Sequence, residues 1–192
     1  HALSGYEMID AVKGAIATNE VNAAMGIICA TPTAGSSGTI PGALFKLEKT
    51  HDLTEEQMID FLFTSALFGR VVANNASVAG ATGGCQAEVG SASAMAAAAA
   101  VAIFGGSPEA SGHAMALAIS NLLGLVCDPV AGLVEIPCVM RNAIGSGNAL
   151  ISADLALAGI ESRIPVDEVI EAMDKVGRNL PASLRETGLG GL

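Results

Sequence analysis

Apolar residues recur at helical spacing along nearly the whole chain. Between Ser4 and Met25, residues such as Met8, Val12 and Ala15 stand three or four positions apart, as they do on one face of an amphipathic helix. We find no run of alternating apolar and polar residues flanked by hairpin turns, which is the pattern of paired β-strands. The sequence therefore predicts an all-α fold.

Two capping boxes mark predicted helix starts. Ser4 with Glu7 matches the box at the first helix, and Thr54 with Gln57 matches it at a helix that we expect to reach about residue 74. The apolar face predicted for the second of these helices consists of Met58, Phe61, Leu62, Ser65 and Phe68.

Glycine and proline divide the rest of the chain into further helices, about seven in all. We expect a helix to start near Pro41, and others to span 86–104, 108–125, 138–158 and 166–179. The stretch from Ala92 to Ala102 carries almost only alanine and serine, which predicts a helix buried on most sides. Because no linker, repeat or charge block interrupts the chain, we expect residues 1–192 to form a single domain.

The composition makes some classes of binding partner unfavourable. Of the 192 residues 51% are hydrophobic but only 3% aromatic, and nineteen Asp and Glu against nine Lys and Arg give a formal net charge of -10. A chain this acidic repels phosphate backbones and anionic membrane surfaces, so no nucleic acid partner is expected. The longest apolar runs, 94–104 and 114–126, are shorter than the roughly 20 residues that cross a bilayer. With no signal peptide visible, we expect no membrane association and a cytoplasmic location.

Polar and glycine-rich residues gather in three breaks between the predicted helices. The first break, residues 28–38, contains Thr33, Gly35, Ser36, Ser37 and Gly38. Backbone N–H groups in such a loop, beside the N-terminus of the next helix, can bind an anion such as a carboxylate. An ordinary flexible connection is the alternative interpretation.

Three of the four cysteines stand at the other two breaks. Cys85 follows a glycine pair in residues 80–88, and Cys127 and Cys138 begin and end the third break. A thiol at a helix start gains thiolate character from the partial positive charge there. Inert buried thiols, disulfides and a metal site are all open interpretations. Zinc sites usually pair their cysteines two to four residues apart, so three isolated thiolates better suit an iron–sulfur cluster with one iron left open.

Several stretches of the sequence resemble one enzyme family. They are 18–24 (TNEVNAA), 31–38 (TPTAGSSG), 83–92 (GGCQAEVGSA), 127–132 (CDPVAG) with 137–138 (PC), and 185–187 (RET) with 190–192 (GGL). Together they are similar to the α chain of the two-chain, iron–sulfur-dependent bacterial L-serine dehydratases. The similarity covers essentially every residue. We expect the chain to correspond to the C-terminal two thirds of the family's catalytic domain, without its first third and without the β chain.

The resemblance implies an all-α catalytic domain that holds a [4Fe-4S] cluster on Cys85, Cys127 and Cys138, with Cys29 outside the ligand set. The implied reaction eliminates water from L-serine to give pyruvate and ammonia, in serine degradation and gluconeogenesis, with the open iron as Lewis acid. Pyridoxal phosphate is not expected, because its Schiff base needs a lysine. The four lysines all fall where helix surfaces are predicted: Lys13, Lys46, Lys49 and Lys175.

Further roles are assigned by position. Arg141 lies one turn after Cys138 and is placed to reach either the cluster sulfurs or a substrate carboxylate, with an ion pair as the alternative. Asn74 and Asn75 are expected to bind substrate or to cap their helix, and Glu88 is left undecided. We expect the L-serine carboxylate to be held by the hydroxyls of Thr33, Ser36 and Ser37 and the amides of Gly35 and Gly38.

The general base is not identified in this chain. His113 and His51 have the surroundings of a core or surface histidine and of a helix end, so we expect the base on the β chain and an active homo- or hetero-oligomer. The alternatives to a serine dehydratase are an iron–sulfur L-cysteine desulfidase and a non-catalytic cluster-binding subunit. A membrane transport module is disfavoured by the short apolar runs.

Overall fold

Eight α-helices in chain order build the fold, and a computed structural model describes them over residues 1–192. No β-sheet is formed, which confirms the all-α prediction. The count exceeds the predicted seven by a helix of one turn, α4. The helices are α1 (Tyr6–Ala23), α2 (Thr39–His51), α3 (Glu55–Asn75), α4 (Gly80–Gly83), α5 (Ser91–Ile103), α6 (Pro108–Asn121), α7 (Cys138–Leu157) and α8 (Val166–Asn179).

The alanine-rich helix α5 lies at the centre of the fold. Every residue from Ser91 to Val101 is buried, as its composition predicts, and the helix packs against α2, α3, α6 and α7. Small side chains permit this close packing on all sides, because they let helix axes approach one another. At Gly69 of α3, for example, a Cβ would lie 2.6 Å from Cε of Met95.

The two predicted helix starts have different outcomes. Thr54 caps α3 as predicted: its side chain accepts a hydrogen bond from the Gln57 N–H, and the Gln57 side chain accepts one from the Thr54 N–H. The box predicted at Ser4 is wrong. Gly5 takes the N-cap position with a φ of 83°, and no side chain caps the helix.

Other boundaries and faces also differ from the prediction. A π-helical turn over Gln86–Gly90 precedes α5, and α6 ends at Asn121 rather than near residue 125. Leu62 was expected in the core but is 47% exposed. The buried positions of α3 run through Phe61, Ser65 and Val72, and Leu62 lies beside this stripe.

The segment Gln86–Ile103 is long and apolar enough, by length and composition alone, to cross a membrane. In the fold 89% of that segment is buried among the other helices. Burial of this kind is what the central helix of a folded protein shows, so its composition is weak evidence for a membrane span.

Two phenylalanines on α3 allow the stability contribution of a buried side chain to be compared with that of an exposed one. Phe61 is fully buried and Phe63 is 74% exposed. We expect Phe61→Ala to lower the free energy of unfolding by about 3 to 5 kcal/mol, because it leaves a cavity in the core. Phe63→Ala on the same helix is the matched control and should change it by less than about 0.5 kcal/mol. Urea denaturation followed by circular dichroism measures both, and equal losses would contradict this division.

Candidate functional site

The three cysteines at helix junctions converge at one end of the helix bundle. Cys85 precedes the π-helical turn, Cys127 lies in the extended segment after α6, and Cys138 is the first residue of α7. All three are buried and none forms a disulfide. Cys29, in the loop after α1, is exposed. Cysteines from three separate segments therefore line one region.

The thiols perturb each other because they are close. The Cys127 side chain, acting as a hydrogen-bond partner, lowers the pKa of Cys85, and Arg141 lowers it further. The same contact raises the pKa of Cys127, and burial adds to the rise. Burial raises the pKa of Cys138 to about 11, with the negative charges of Cys85 and Glu88 contributing. Arg141 supplies the positive charge that favours a thiolate in this region.

Arg141 points toward the cysteines rather than toward an acidic partner. Its guanidinium donates a hydrogen bond to the Val126 carbonyl, directly before Cys127, and it forms no salt bridge. The ion pair considered from the sequence is therefore absent. A guanidinium without a carboxylate partner remains beside the thiols.

The segment around Cys127 is held by a later part of the chain. The Cys127 N–H donates to the Leu184 carbonyl at 3.0 Å, and the Cys127 carbonyl accepts from the Glu186 N–H. Next to it, the Asp128 carboxylate accepts from the N–H groups of Gly188 at 2.7 Å and Gly190 at 2.8 Å. These bonds explain how an irregular segment presents a buried cysteine at a defined place.

Gln86 holds the glycine turn before Cys85 in a similar way. Its buried amide donates to the carbonyls of Gly83 at 3.0 Å and Met173 at 2.9 Å. The Gln86 side-chain oxygen accepts from the Gly124 N–H at 2.9 Å. The turn is thus tied to α8 and to the chain that leads into Cys127.

Asn142 joins the loop 31–38 to the helix that carries Cys138. Its amide donates to the carbonyls of Gly35 at 2.8 Å and Cys138 at 2.9 Å. Its oxygen accepts from the Gly38 N–H and the Thr39 hydroxyl, both at 3.0 Å. A side-chain amide has two donors and two acceptor sites, so every hydrogen-bonding position of this fully buried residue is used.

Many polar groups of the loop 31–38 form hydrogen bonds with other groups of the chain. Ser36 and Ser37 are fully buried: the Ser36 hydroxyl donates to the Thr31 carbonyl, and the Ser37 hydroxyl accepts from Asn19. The Gly38 amide was expected to bind a carboxylate, but it donates to Asn142 instead, which corrects that expectation. The backbone N–H groups at positions 34–36 donate no hydrogen bond within the chain.

Glu88 is a buried carboxylate between this loop and the cysteines. It is 8% exposed, and burial raises its pKa, with partial opposition from hydrogen bonds to the Gly80 N–H and the Thr33 side chain. A Cβ added at Gly35 would lie 2.8 Å from a Glu88 oxygen. A Cβ at Gly80 would lie 3.0 Å from the Glu88 carboxyl carbon and 2.8 Å from the Cys127 sulfur.

Other candidate residues lie apart from the cysteines. Asn74 and Asn75 are exposed at the end of α3, where Asn75 donates to the Val71 carbonyl of its own helix, and both line a surface cleft with Thr82. His113 lies in the N-terminal half of α6 and accepts from the Ser162 N–H at 3.2 Å. His51 stacks edge-on against Phe104.

The lysines lie on α1, α2 and α8, as the sequence predicts. Lys13, Lys49 and Lys175 expose at least 65% of their side chains, whereas Lys46 exposes only 12% and pairs with Glu7 at 3.5 Å. Lys46 is therefore more covered than a surface position implies.

The histidines, cysteines and carboxylates of the chain are the side chains that could bind a metal. No three side chains of His, Cys, Asp or Glu are arranged to hold a single metal ion. An iron–sulfur cluster places its cysteine ligands on different irons, and its sulfurs therefore lie farther apart than three ligands of one ion. Three buried, disulfide-free thiols from separate segments fit a cluster in number and chemistry.

Sequence reasoning found the cysteines and missed the residues that hold them. Asn142, Gln86 and Asp128 bind backbone groups that lie 38 to 107 positions away along the chain. For Asn142 a signal was present: a polar amide one turn after Cys138, on the apolar side of a helix, needs buried partners.

Asn142 gives a direct test of how the loop and α7 are joined. We expect Asn142→Ala to lower the free energy of unfolding by at least about 2 kcal/mol, because it leaves buried donors and acceptors without partners. Asn75→Ala, at an exposed position, should cost less than about 0.5 kcal/mol.

Hydrogen exchange makes this test specific to the loop. The Gly38 amide should exchange faster in Asn142→Ala, whereas the Gly124 amide, held by Gln86, should keep its protection. Unchanged exchange at Gly38 would contradict the role assigned to Asn142.

Comparison with known proteins places these features in a family. The family model described as "Serine dehydratase alpha chain" matches residues 1–192. The "Probable L-serine dehydratase, alpha chain" of Bacillus subtilis (strain 168) is 67% identical over 191 residues, which are 100% of this chain and 64% of the relative. The "L-serine dehydratase, alpha chain" of Peptoniphilus asaccharolyticus is 52% identical, over 100% of this chain and 65% of that protein.

A longer relative shows the same similarity over a smaller share of its length. "L-serine dehydratase 2" of Escherichia coli (strain K12) is 41% identical over 180 residues, which are 93% of this chain and 40% of that protein. The chain thus spans slightly less than two thirds of the B. subtilis and P. asaccharolyticus relatives. With a family match over its whole length, this chain belongs to the serine dehydratase alpha chain family.

Proposed function

We propose that this chain is the cluster-binding catalytic part of an iron–sulfur L-serine dehydratase, which eliminates water from L-serine to give pyruvate and ammonia. The observation that carries the proposal is the convergence of Cys85, Cys127 and Cys138, buried and free of disulfides, in a chain of this family. The names of the relatives support L-serine as the substrate.

The three thiolates are the residues that would hold a [4Fe-4S] cluster. With three cysteine ligands, such a cluster would leave one iron open and would supply Lewis-acid chemistry toward a hydroxyl leaving group. Arg141 stabilises the thiolate form of Cys85 through its positive charge. Burial of all three sulfurs keeps bulk water away from them.

The loop 31–38 is the proposed site for the substrate carboxylate. The N–H groups of Ala34, Gly35 and Ser36 are without partners in the chain and belong to one turn, so they can donate together to an anion. Asn142 fixes this turn relative to Cys138 through the Gly35 carbonyl. A substrate held there by its carboxylate would lie next to Glu88, which borders the same turn at Gly35.

The general base is proposed to come from the β chain. His113 is engaged with Ser162, and His51 packs on Phe104, so neither is positioned beside the cysteines. Two of the relatives are named alpha chains, which supports an enzyme of more than one subunit.

Cysteine replacements test the ligand set without relying on turnover. After anaerobic reconstitution, Cys85→Ser, Cys127→Ser and Cys138→Ser should each lose most of the bound iron and sulfide. Cys29→Ser is the control and should retain both, because Cys29 is exposed whereas the other three are buried. The iron and sulfide content of each purified variant is measured chemically. Full retention of iron in the three buried variants would refute the cluster assignment.

A reconstitution assay tests the need for the β chain. The chain with its cluster should form pyruvate from L-serine slowly, and addition of β chain should raise kcat by at least about tenfold, since a positioned general base contributes about 10² to 10⁴. Pyruvate formation is followed with lactate dehydrogenase and NADH. No increase on adding β chain would contradict the assignment of the base to the β chain.

A further inference from the structure

Glu88 is a buried carboxylate to which the proposed function has given no role. It is 8% exposed and forms no salt bridge. The groups that lower its pKa are neutral: the Gly80 backbone and the Thr33 side chain. The Glu186 carboxylate is the charged group that acts on it, and it has the same sign.

A buried charge without an opposite charge is costly, so such a group is retained where a ligand or a neighbouring charge compensates it. The chain supplies no cation to Glu88. Glu88 opposes ionisation of all three cysteines, so they do not offset its charge either. The local charge therefore favours a cationic group from outside the chain.

The neighbours of Glu88 indicate which kind of molecule carries the cationic group. Its carboxylate lies against Gly35, where an added Cβ would be 2.8 Å from a Glu88 oxygen. Gly35 is also in the middle of the three N–H groups proposed for the substrate carboxylate. On its other side, Glu88 lies against Gly80, which borders the Cys127 sulfur.

We propose that Glu88 binds the α-ammonium group of the amino acid substrate and so selects amino acids over hydroxy acids. In an amino acid the ammonium and carboxylate groups share one carbon, which matches an anionic side chain directly beside a set of anion-binding N–H groups. The ammonium donates charge-assisted hydrogen bonds to the Glu88 carboxylate. This inference rests on the proposed function, because it assumes that the substrate is L-serine.

The test compares ligands that differ in the ammonium group. L-Alanine carries ammonium and carboxylate but has no hydroxyl to eliminate, and 3-hydroxypropanoate carries hydroxyl and carboxylate but no ammonium. Neither should be turned over, so the binding of both to the cluster-loaded complex of this chain with its β chain is measured by calorimetry. The KM and kcat for L-serine are measured on the same samples.

Glu88→Gln should weaken L-alanine binding and raise the KM for L-serine by about ten- to hundredfold, the range expected for loss of a charged hydrogen bond. The affinity for 3-hydroxypropanoate should not fall, and kcat should change much less than KM. Gly35→Ala should give the same selective loss, because its Cβ displaces the Glu88 carboxylate.

Two control variants distinguish the selective loss of L-alanine binding from nonspecific effects of a substitution on the structure. Glu135→Gln removes an exposed negative charge close to Cys138, and Gly112→Ala adds a methyl group whose nearest neighbour, Val166, is 4.0 Å away. Both should bind L-alanine and 3-hydroxypropanoate as the unmodified chain does. Circular dichroism and iron content are recorded for every variant.

Each other outcome overturns the proposal in a recognisable way. Equal weakening of both ligands would assign Glu88 to loop structure, and loss of iron would assign it to the cluster. A fall in kcat with unchanged KM and L-alanine affinity would assign it to proton transfer. If the unmodified complex neither forms pyruvate from L-serine nor binds L-alanine, the proposed function itself fails; if it does both and Glu88→Gln is not selective, only this inference fails.

Discussion

The close approach of helices around α5 is the constraint on which the rest of the structure depends. Alanine and serine on every side of this helix let four other helices pack against it at once. A small residue also permits close packing near the cysteines. A Cβ at Gly145 of α7 would lie 2.7 Å from Val89 and 2.8 Å from the Thr39 hydroxyl. Larger residues here would separate α7 from α2 and from the π-helical turn.

Near the cysteines, polar side chains join helix ends to the irregular segments between them. The groups there are held by amides and by one carboxylate that bind backbone atoms. Asn142, Gln86 and Asp128 each bridge segments that are far apart in the chain. These bonds give the irregular segment that contains Cys127 a defined position.

The electrostatic character of this end is mixed. Arg141 and a set of free N–H groups favour anions, whereas Glu88 and the cysteines favour cations. Opposite preferences within one small region are suited to a zwitterion better than to a simple anion. The overall net charge of -10 shows nothing of this local arrangement, because it is dominated by exposed acidic residues.

The helices and the cysteine junctions could be predicted from the sequence because their signals are local. The Thr54 box needs only residues three apart, and Cys138 was placed at a helix start by the proline before it. The box at Ser4 failed since Gly5, with its positive φ, takes the cap position. The side chains that hold the site were missed, and the Gly38 amide was misassigned, because their partners lie on other helices and depend on the packed structure.

The pairing of Cys127 and Asp128 with residues 184–190 has a consequence for the order in which the protein matures. During translation, Cys85, Cys127 and Cys138 leave the ribosome well before the segment that fixes the second of them. The backbone around Cys127 can reach its folded conformation only after residues 184–190 have emerged from the ribosome. Folding of the region around Cys127 therefore follows its synthesis rather than accompanying it.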